Sequence, residues 1–274
     1  MALVYTARMR FELHCHSTCS DGTEPPEQVA ARAAARAVAV FALTDHDTCA
    51  GSRVTVAGAR VIRAVELSCD DDGRTVHVLA FDRGGAWDAL EARLAAVREA
   101  RRNRVRVMAA RLAHRGIALD VEALVAAADR RSIGRPDLAR AMVAAGAASS
   151  MKDAFARHLY DRGPVDEPHR ALALGDALAI GREAGAAMAL AHPHLYDERS
   201  AHYLRRHKAD GLTGIEAFYG AYDPRERARW TALADQHGVT CTGGSDWHGP
   251  EAANAQPGVD LPDDRSAALL AWLA

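Results

Sequence analysis

Residues 9–16 read Met-Arg-Phe-Glu-Leu-His-Cys-His, a short strand pattern that ends in two histidines. In extended backbone, residues i and i+2 point the same way, so His14 and His16 can meet one cation. Asp21 follows on the next loop and can close the same pocket from the side. A lone His-x-His is a weak signal, so the metal-site hypothesis depends on the residues at the ends of the remaining strands.

Six further strand-like segments come after this one, and Ala-rich helical patterns separate most of them. Strands separated by helices are typical of βαβ units and a parallel sheet. The order predicts an α/β fold, with a barrel-like closure favoured over an open sheet. Asp72-Gly73 is a hairpin signal, so the third and fourth strands are expected to pair antiparallel. With the first strand at 9–13, the predicted strands are 38–43, 61–66, 76–81, 187–191, 214–218 and 239–242.

The stretch 87–164 shows no convincing strand and predicts a helical insertion that caps the substrate. The barrel domain would then comprise 1–86 and 165–274. Two interpretations of the arginine-rich first helix stay open. It is either a solvated face balanced by Glu91 and Glu99, or a basic lid over an anionic substrate. Its arginines are Arg93, Arg98, Arg101, Arg102, Arg104, Arg106 and Arg111.

Histidines and carboxylates also accompany the second, third and fourth strands. His46 lies in a charged loop after the second strand and is a predicted metal ligand, with Asp45 and Asp47 expected to orient imidazole N–H groups. Glu66 ends the third predicted strand, where a carboxylate can bridge two cations. The predicted hairpin brings His77 towards Glu66, which favours His77 as a metal ligand.

Similar motifs stand near the C-terminal end of the chain. His192 is a predicted ligand, and His194 is a candidate phosphate contact. Asp246 and His248 share the i, i+2 spacing of the first motif, and flanking glycines let the backbone approach a crowded site. Mixed histidine and carboxylate sets suit Mn, Zn or Fe, and nine ligands exceed the needs of one tetrahedral metal, so two or three divalent ions are expected. The nine are His14, His16, Asp21, His46, Glu66, His77, His192, Asp246 and His248.

Length and composition limit the range of functions. The 274 residues suit one large α/β domain with a modest insertion, and a formal charge of -2 argues against a non-specific nucleic-acid coat. No apolar run approaches the roughly 20 residues of a membrane span. The N-terminus has no signal-like apolar core. We therefore expect a cytoplasmic protein without a membrane partner; the oligomeric state stays unknown.

In order, these motifs resemble the PHP (polymerase and histidinol phosphatase) family. The matching segments are Glu12-Leu-His-Cys-His-Ser, Ser20-Asp-Gly-Thr, Leu43-Thr-Asp-His-Asp-Thr, Val65-Glu-Leu-Ser, His77, Ala191-His-Pro and Gly244-Ser-Asp-Trp-His. The resemblance implies a distorted (β/α)7 barrel with a trinuclear site. By analogy, the three ligand groups are His14, His16, Glu66 and Asp246; then Glu66, His77 and His192; then Asp21, His46 and His248.

The insertion is similar to the branch that includes 3′,5′-nucleoside bisphosphate phosphatase and a related 5′→3′ exoribonuclease. The supporting residues are Arg102-Asn103 and the segment Ile133-Gly-Arg-Pro-Asp-Leu-Ala-Arg, followed by Lys152-Asp-Ala-Phe. The resemblance implies substrate contacts from Arg102, Asn103 and Arg135. Arg135 can clamp a phosphate bidentately, or it can pair with Asp137 at the helix start. Asp137 stands where that branch usually has His, which leaves the exact substrate open.

The best function hypothesis is hydrolysis of a nucleotide phosphate monoester, specifically the 3′-phosphate of 3′,5′-bisphosphate nucleotides. A metal-bound hydroxide would attack phosphorus, with Asp246 or His194 assisting. A second hypothesis is a 5′-3′ exoribonuclease or phosphodiesterase on short RNA, guided by the arginine-rich helix. Few aromatic residues argue mildly against a long-strand binder. A histidinol phosphatase and a non-enzymatic metal-binding scaffold are the third and fourth hypotheses.

Overall fold

The computed structural model describes residues 9–168, 172–251 and 256–274. The strands are β1 (Arg10–Glu12), β2 (Val40–Phe41), β3 (Arg60–Val61), β4 (Ala64–Asp71), β5 (Arg74–Phe81), β6 (Leu172–Ala173), β7 (Ala187–Leu190), β8 (Leu212–Tyr219), β9 (Thr240–Gly244) and β10 (Val259–Asp260). The α-helices are α1 (Pro26–Ala35), α2 (Trp87–Ala113), α3 (Val121–Ala126), α4 (Arg135–Ala144), α5 (Met151–Arg157), α6 (Leu174–Glu183), α7 (Arg199–His207), α8 (Pro224–His237) and α9 (Asp263–Trp272).

The described strands form two sheets. One has the order β10-β1-β2-β3 and the other has the order β6-β4-β5-β7-β8-β9. Backbone hydrogen bonds join the sheets at two places: Leu13 donates to the Gly243 carbonyl at 3.2 Å, and Glu66 donates to the Thr44 carbonyl at 3.1 Å. The mixed α/β class is confirmed, whereas a closed (β/α)7 barrel stays a prediction.

The hairpin between β4 and β5 matches its sequence signal. Asp71 pairs with Arg74 across the turn, and the strands run antiparallel through eight residue pairs. Asp72 and Gly73 both have positive φ, at 50° and 78°, as a two-residue turn that follows the strand twist requires. The strand β4 runs beyond its predicted end to Asp71, so Glu66 lies inside the sheet and not at a strand end.

The main apolar core lies between the sheets and the helices that cover them. The central strands β4, β5 and β7 are largely buried on both faces, and β7 is accordingly a continuous apolar run, Ala-Met-Ala-Leu. Sequence reasoning missed β6 and β10, because each is only two residues long and too short for a periodic signal. Among the described helices, none is long and apolar enough to cross a bilayer.

The predicted insertion is helical, from α2 to α5. Its side chains form a second apolar cluster that includes Met108, Leu112, Leu138 and Met142. The first half of α2, with Trp87 and other apolar residues, packs in the main core instead. Helix α2 therefore spans both clusters, and the domain boundaries at 87 and 164 stay a prediction.

Candidate metal centre and substrate cleft

The Glu66 carboxylate lies at the centre of five imidazoles. Its Oε2 atom is 3.1–3.2 Å from ring nitrogens of three histidines, and its Oε1 atom is 3.0 Å from ring nitrogens of two more. Glu66 is only 1% exposed. The first three are His14, His16 and His46, and the other two are His77 and His192. One buried carboxylate therefore faces histidines from four separate parts of the chain.

The remaining predicted ligands complete the same cluster. Asp246 Oδ1 lies 3.3 Å from His16 Nε2 and 3.5 Å from His248 Nδ1. Asp21 Oδ1 lies 3.3 Å from His248 Nε2, and its Oδ2 atom lies 3.7 Å from His46 Nε2. The structure thus brings together all nine predicted residues, which we call the metal cluster. Their role as ligands stays a prediction.

Unusual backbone geometry places two members of the cluster. His192 and Asp246 have φ values of 27° and 54°, a left-handed conformation that costs non-glycine residues about 1–3 kcal/mol. Asp246 N–H donates to the His14 carbonyl at 2.7 Å, which ties the last ligand loop to the first. A Cβ on Gly244 would lie 2.3 Å from the His14 nitrogen, so only glycine permits this close approach.

Two buried carboxylates that sequence reasoning missed hold the cluster from behind. Glu216 Oε1 is 2.9 Å from His14 Nδ1, and its Oε2 atom accepts the backbone N–H of His192 at 2.7 Å. Glu12 accepts the backbone N–H groups of His14 and Ser245 at 3.2 and 2.9 Å. Glu216 lies inside β8 and Glu12 is the last residue of β1, each between apolar neighbours, and a lone carboxylate in such a sequence is the signal that could have revealed them.

The expected role of Asp45 and Asp47 is wrong. Asp45 accepts hydrogen bonds from Ser17 and Ser20 at 2.7–2.8 Å, and no imidazole donates to it among the described residues. Asp47 accepts from the Ser68 backbone N–H and from Arg101 Nε. These carboxylates fix the ligand loops through hydroxyl, backbone and guanidinium groups instead of orienting rings.

The electrostatic environment of the cluster favours positive charge. Burial by itself lowers the pKa of His14, yet the carboxylates of Glu216, Glu66 and Asp246 outweigh it and raise that pKa well above its usual value. Burial likewise disfavours the Glu66 carboxylate, but the surrounding imidazoles hold its pKa well below the usual range. For His46 burial dominates and lowers the pKa to about 3, which keeps this ring neutral and able to donate a lone pair.

Unpartnered atoms indicate what the cluster binds. Several buried polar atoms find no hydrogen-bond partner among the described residues, and four of them belong to the cluster: His14 Nε2, His16 Nε2, His46 Nδ1 and Glu66 Oε2. These four differ from the others because they converge on one point. Imidazole nitrogens and carboxylate oxygens are the donors that divalent transition metals take. The residues therefore fit divalent metal binding.

A cleft of about 890 Å³ opens from the cluster towards the insertion. Asp21, His46 and His77 line its inner end, and Arg101, Arg104 and Arg135 line its outer wall together with Phe155. Two arginines of the arginine-rich helix therefore face the cleft, and the interpretation of this helix as a basic lid over a substrate stays a prediction. Arg101 and Arg104 continue the three- and four-residue spacing of Trp87, Leu90, Leu94 and Val97, the buried face of α2.

Two expected substrate contacts lie elsewhere. Arg102 donates to the Asp129 carbonyl and to Glu99, and Asn103 accepts from Arg106 on the exposed side of α2. Neither lines the described cleft. Because a helix turns about 100° per residue, Arg101, one position earlier in the chain, faces the cleft instead.

Arg135 lines the cleft, and the alternative interpretation that pairs it with Asp137 is wrong. Arg135 Nη1 is 2.5 Å from Asp161 Oδ1, while Asp137 pairs with Arg131 at 2.6 Å and with Arg140 at 3.3 Å. Asp137 is 5% exposed and does not line the cleft.

His194 lies beside the cluster, with its ring centroid 6.3 Å from that of His192. Its Nδ1 atom is 2.7 Å from the Tyr222 hydroxyl, which also accepts the His194 backbone N–H. We assign the hydroxyl proton to the bond with Nδ1, so that the tyrosine donates to the ring and accepts from the backbone N–H. The neutral ring then carries its own proton on Nε2.

Curated relatives match along almost the whole chain. A 3′,5′-nucleoside bisphosphate phosphatase of Chromobacterium violaceum is 35% identical over 263 residues, which cover 92% of each chain. A 5′-3′ exoribonuclease Rnm of Salmonella typhimurium is 31% identical over 88% of this chain and 85% of its own. A phosphoribosyl 1,2-cyclic phosphate 1,2-diphosphodiesterase of Eggerthella lenta is 33% identical over 92% of this chain and 98% of its own. No family model matches.

Two solved structures have the same fold. A candidate metal-dependent phosphoesterase of Bifidobacterium adolescentis superposes with a TM-score of 0.82 at 29% identity, covering 97% of this chain and 96% of its own. A protein of Chromobacterium violaceum, described as an amidohydrolase with bound sulfate and no metal, gives 0.82 at 32% identity, covering 94% of this chain and 96% of its own. With the cluster and the relatives, these likenesses identify an enzyme: the chain belongs to the PHP family of metal-dependent phosphoesterases.

Proposed function

We propose that the protein hydrolyses the 3′-phosphate of 3′,5′-bisphosphate nucleotides. The observation that carries this proposal is the cleft, which has a metal cluster at one end and arginines at the other. A substrate with two phosphates can place one at each end. The volume of about 890 Å³ is within the usual range for small-molecule sites of roughly 300–1,000 Å³. The name of the Chromobacterium phosphatase supports the same substrate.

The nine residues of the metal cluster would hold two or three ions, with Mn, Zn or Fe favoured by the donor set. When bound, such ions supply the Lewis acidity that ionises the attacking water and neutralises phosphoryl oxygens. The chain's own groups position the substrate. His194 would donate from Nε2 to a phosphate oxygen. Asp246, held by the Tyr219 hydroxyl at 3.0 Å, is the carboxylate that would help to remove a proton from water.

The arginines would bind the phosphate that stays on the product. Arg101 is held by Asp47 and Ser68, and Arg104 is held by Asp166 at 3.0 Å, so both guanidinium groups are oriented before substrate arrives. Arg135 lies over the Phe155 ring, with 6.0 Å between its Cζ atom and the ring centroid. Phe155 offers an aromatic surface at the same wall for the nucleobase.

The test compares substrates that differ by one phosphate. Manganese-loaded protein should release phosphate from adenosine 3′,5′-bisphosphate faster than from 3′-AMP or 5′-AMP, and 5′-AMP should accumulate. The Arg135→Ala variant should raise KM for the bisphosphate by roughly 10–100-fold, the value of one charge-assisted hydrogen bond of about 1.5–3 kcal/mol. Equal rates on 3′-AMP and the bisphosphate would contradict the proposal.

A second cavity favours one different activity, that of a 5′-3′ exoribonuclease. This cavity of about 380 Å³ lies against His77 and His192, and Arg74 and Arg199 line it. Arg74 also lines the main cleft, so a substrate longer than one nucleotide has room beyond the metal cluster. Release of mononucleotides from a 5′-phosphorylated RNA trimer, at a higher kcat/KM than for the bisphosphate, would favour this function. Histidinol phosphate and a ribose 1,2-cyclic phosphate complete the substrate panel.

A further inference from the structure

The insertion is attached to the loop that carries Asp21. Arg131 Nη1 donates to the Thr18 carbonyl at 3.2 Å and to the Ser20 carbonyl at 3.0 Å. Arg140 Nη1 donates to the carbonyl of Asp21 itself at 3.1 Å. Arg131 precedes α4 and Arg140 lies within it, so side chains from one end of the insertion fix the backbone of a predicted ligand.

The Asp137 carboxylate fixes both of these arginines. Its Oδ1 atom accepts from Arg131 Nη2 at 2.6 Å and from Arg140 Nη2 at 3.3 Å. Its Oδ2 atom accepts the Gly134 backbone N–H at 2.8 Å, which locks the first turn of α4. Each arginine therefore uses one nitrogen for Asp137 and the other for the Asp21 loop. At 5% exposure the carboxylate is protected from solvent screening.

A second attachment holds the neighbouring ligand loop. Arg98 Nη1 donates to the Asp47 carbonyl at 3.1 Å, and Arg101 Nε donates to the Asp47 carboxylate at 2.7 Å. Asp47 follows His46 directly in the chain. The insertion therefore makes hydrogen bonds to both loops, the one that carries Asp21 and the one that carries His46. The Asp21 carboxylate and the His46 ring nitrogen lie 3.7 Å apart.

We propose that Asp137 is a positioning residue for the metal centre: through Arg131 and Arg140 it holds Asp21 where it can share a cation with His46 and His248. A carboxylate suits this position because it faces two guanidinium groups and the N-terminus of α4. The proposal rests on the metal centre of the proposed function, but it does not depend on the identity of the substrate. Asp137 itself does not line the cleft, so substrate recognition at this end of α4 is left to Arg135.

The experiment titrates Mn²⁺ into metal-stripped full-length protein by calorimetry. The Asp137→Asn variant keeps the shape and loses the charge that fixes both arginines. We expect the dissociation constant of the weakest Mn²⁺ site to rise roughly 10–100-fold, as for other groups that orient metal ligands. At saturating Mn²⁺ the KM for substrate should stay within about twofold of the wild-type value, since Asp137 does not touch substrate.

Asp153→Asn is the matched control. Asp153 holds the equivalent place in the first turn of α5, accepts the Ser149 backbone N–H at 2.9 Å and pairs with Arg157 at 3.3 Å. It has the same local helix-capping role without a described link to the ligand loops, so Mn²⁺ affinity should not change. Comparison of the two variants by thermal unfolding separates lost helix stability from lost metal positioning.

Arg131→Lys is the second variant. It keeps the charge facing Asp137 but loses the fork that reaches two carbonyls, so it should weaken the same Mn²⁺ site. Wild-type Mn²⁺ affinity in both Asp137→Asn and Arg131→Lys would overturn the proposal, as would a raised KM with unchanged Mn²⁺ affinity. Normal Mn²⁺ binding by the wild type without phosphate release from any nucleotide would refute the proposed substrate alone.

Discussion

The Glu216→Gln substitution tests the carboxylate that holds the cluster from behind. Glu216 is fully buried and accepts from two donors, His14 Nδ1 at 2.9 Å and the His192 backbone N–H at 2.7 Å. A glutamine amide has only one acceptor atom, so either orientation turns an NH₂ group towards another N–H. One buried donor is then unsatisfied, which costs about 1–3 kcal/mol of folding free energy.

The same substitution should weaken metal binding. Loss of a group that orients a ligand imidazole typically reduces metal affinity or activity by roughly 10–100-fold, which corresponds to about 1.4–2.7 kcal/mol. Glu216 holds two predicted ligands at once, so the effect should reach the upper part of that range. Denaturant unfolding of metal-stripped protein measures the first cost, and Mn²⁺ calorimetry with phosphate release measures the second.

Glu183→Gln provides the control, because Glu183 is an exposed carboxylate at the end of α6. It should leave stability, Mn²⁺ affinity and rate unchanged. If Glu216→Gln unfolds at the wild-type denaturant concentration and binds Mn²⁺ with wild-type affinity, then the Glu216 contacts do not support the cluster, and the reasoning from hydrogen-bond satisfaction is refuted.

Three more outcomes are expected. In steady-state kinetics, Arg104→Leu should raise KM for the bisphosphate by roughly 10–100-fold while kcat changes less. The control Arg93→Leu, on the exposed side of α2, should leave both KM and kcat unchanged. Mn²⁺ at about 100 times its dissociation constant should stabilise the protein by about 2.7 kcal/mol, and a chelator should reverse the shift seen by calorimetry. Gly73→Ala should lower the free energy of unfolding by about 1–2 kcal/mol in denaturant titration, because φ is 78° there; a Cβ would meet no neighbouring atom, so the whole cost comes from the backbone.

Sequence reasoning found the members of the cluster because their positions follow a simple rule. Polar side chains that interrupt apolar strands are costly unless they serve a site, and strand alternation says which of them face together. His14 and His16 were predicted to meet on this ground, and both lie within 3.2 Å of Glu66 Oε2. The α/β class and the antiparallel hairpin followed from equally local signals.

The supporting carboxylates depend on long-range contacts that no local pattern encodes. Glu216 meets His14 across 202 residues of chain, and Glu12 meets Ser245 across 233. Asp45 and Asp47 were recognised as important, but their partners were wrong. Those partners, three serines and an arginine of α2, become neighbours only when the insertion and the first ligand loop have folded against the sheet.

Arg102 does not line the described cleft, and the reason is the phase of a helix rich in one residue type. Arg101 and Arg104 occupy the buried face that Trp87 and Leu94 begin, where another apolar side chain would be expected. Both guanidinium groups are nearly buried, at 11% and 12% exposure, and each is paired with a carboxylate.

Burying a paired charge is often no more stabilising than an apolar residue of similar volume, so stability alone does not favour arginine at these positions. The proposed function explains why arginine stands at these positions, because both side chains line the cleft opposite the metal cluster and would bind an anion of the substrate. An arginine in the apolar phase of a helix is therefore a stronger sign of a substrate contact than arginine density along it.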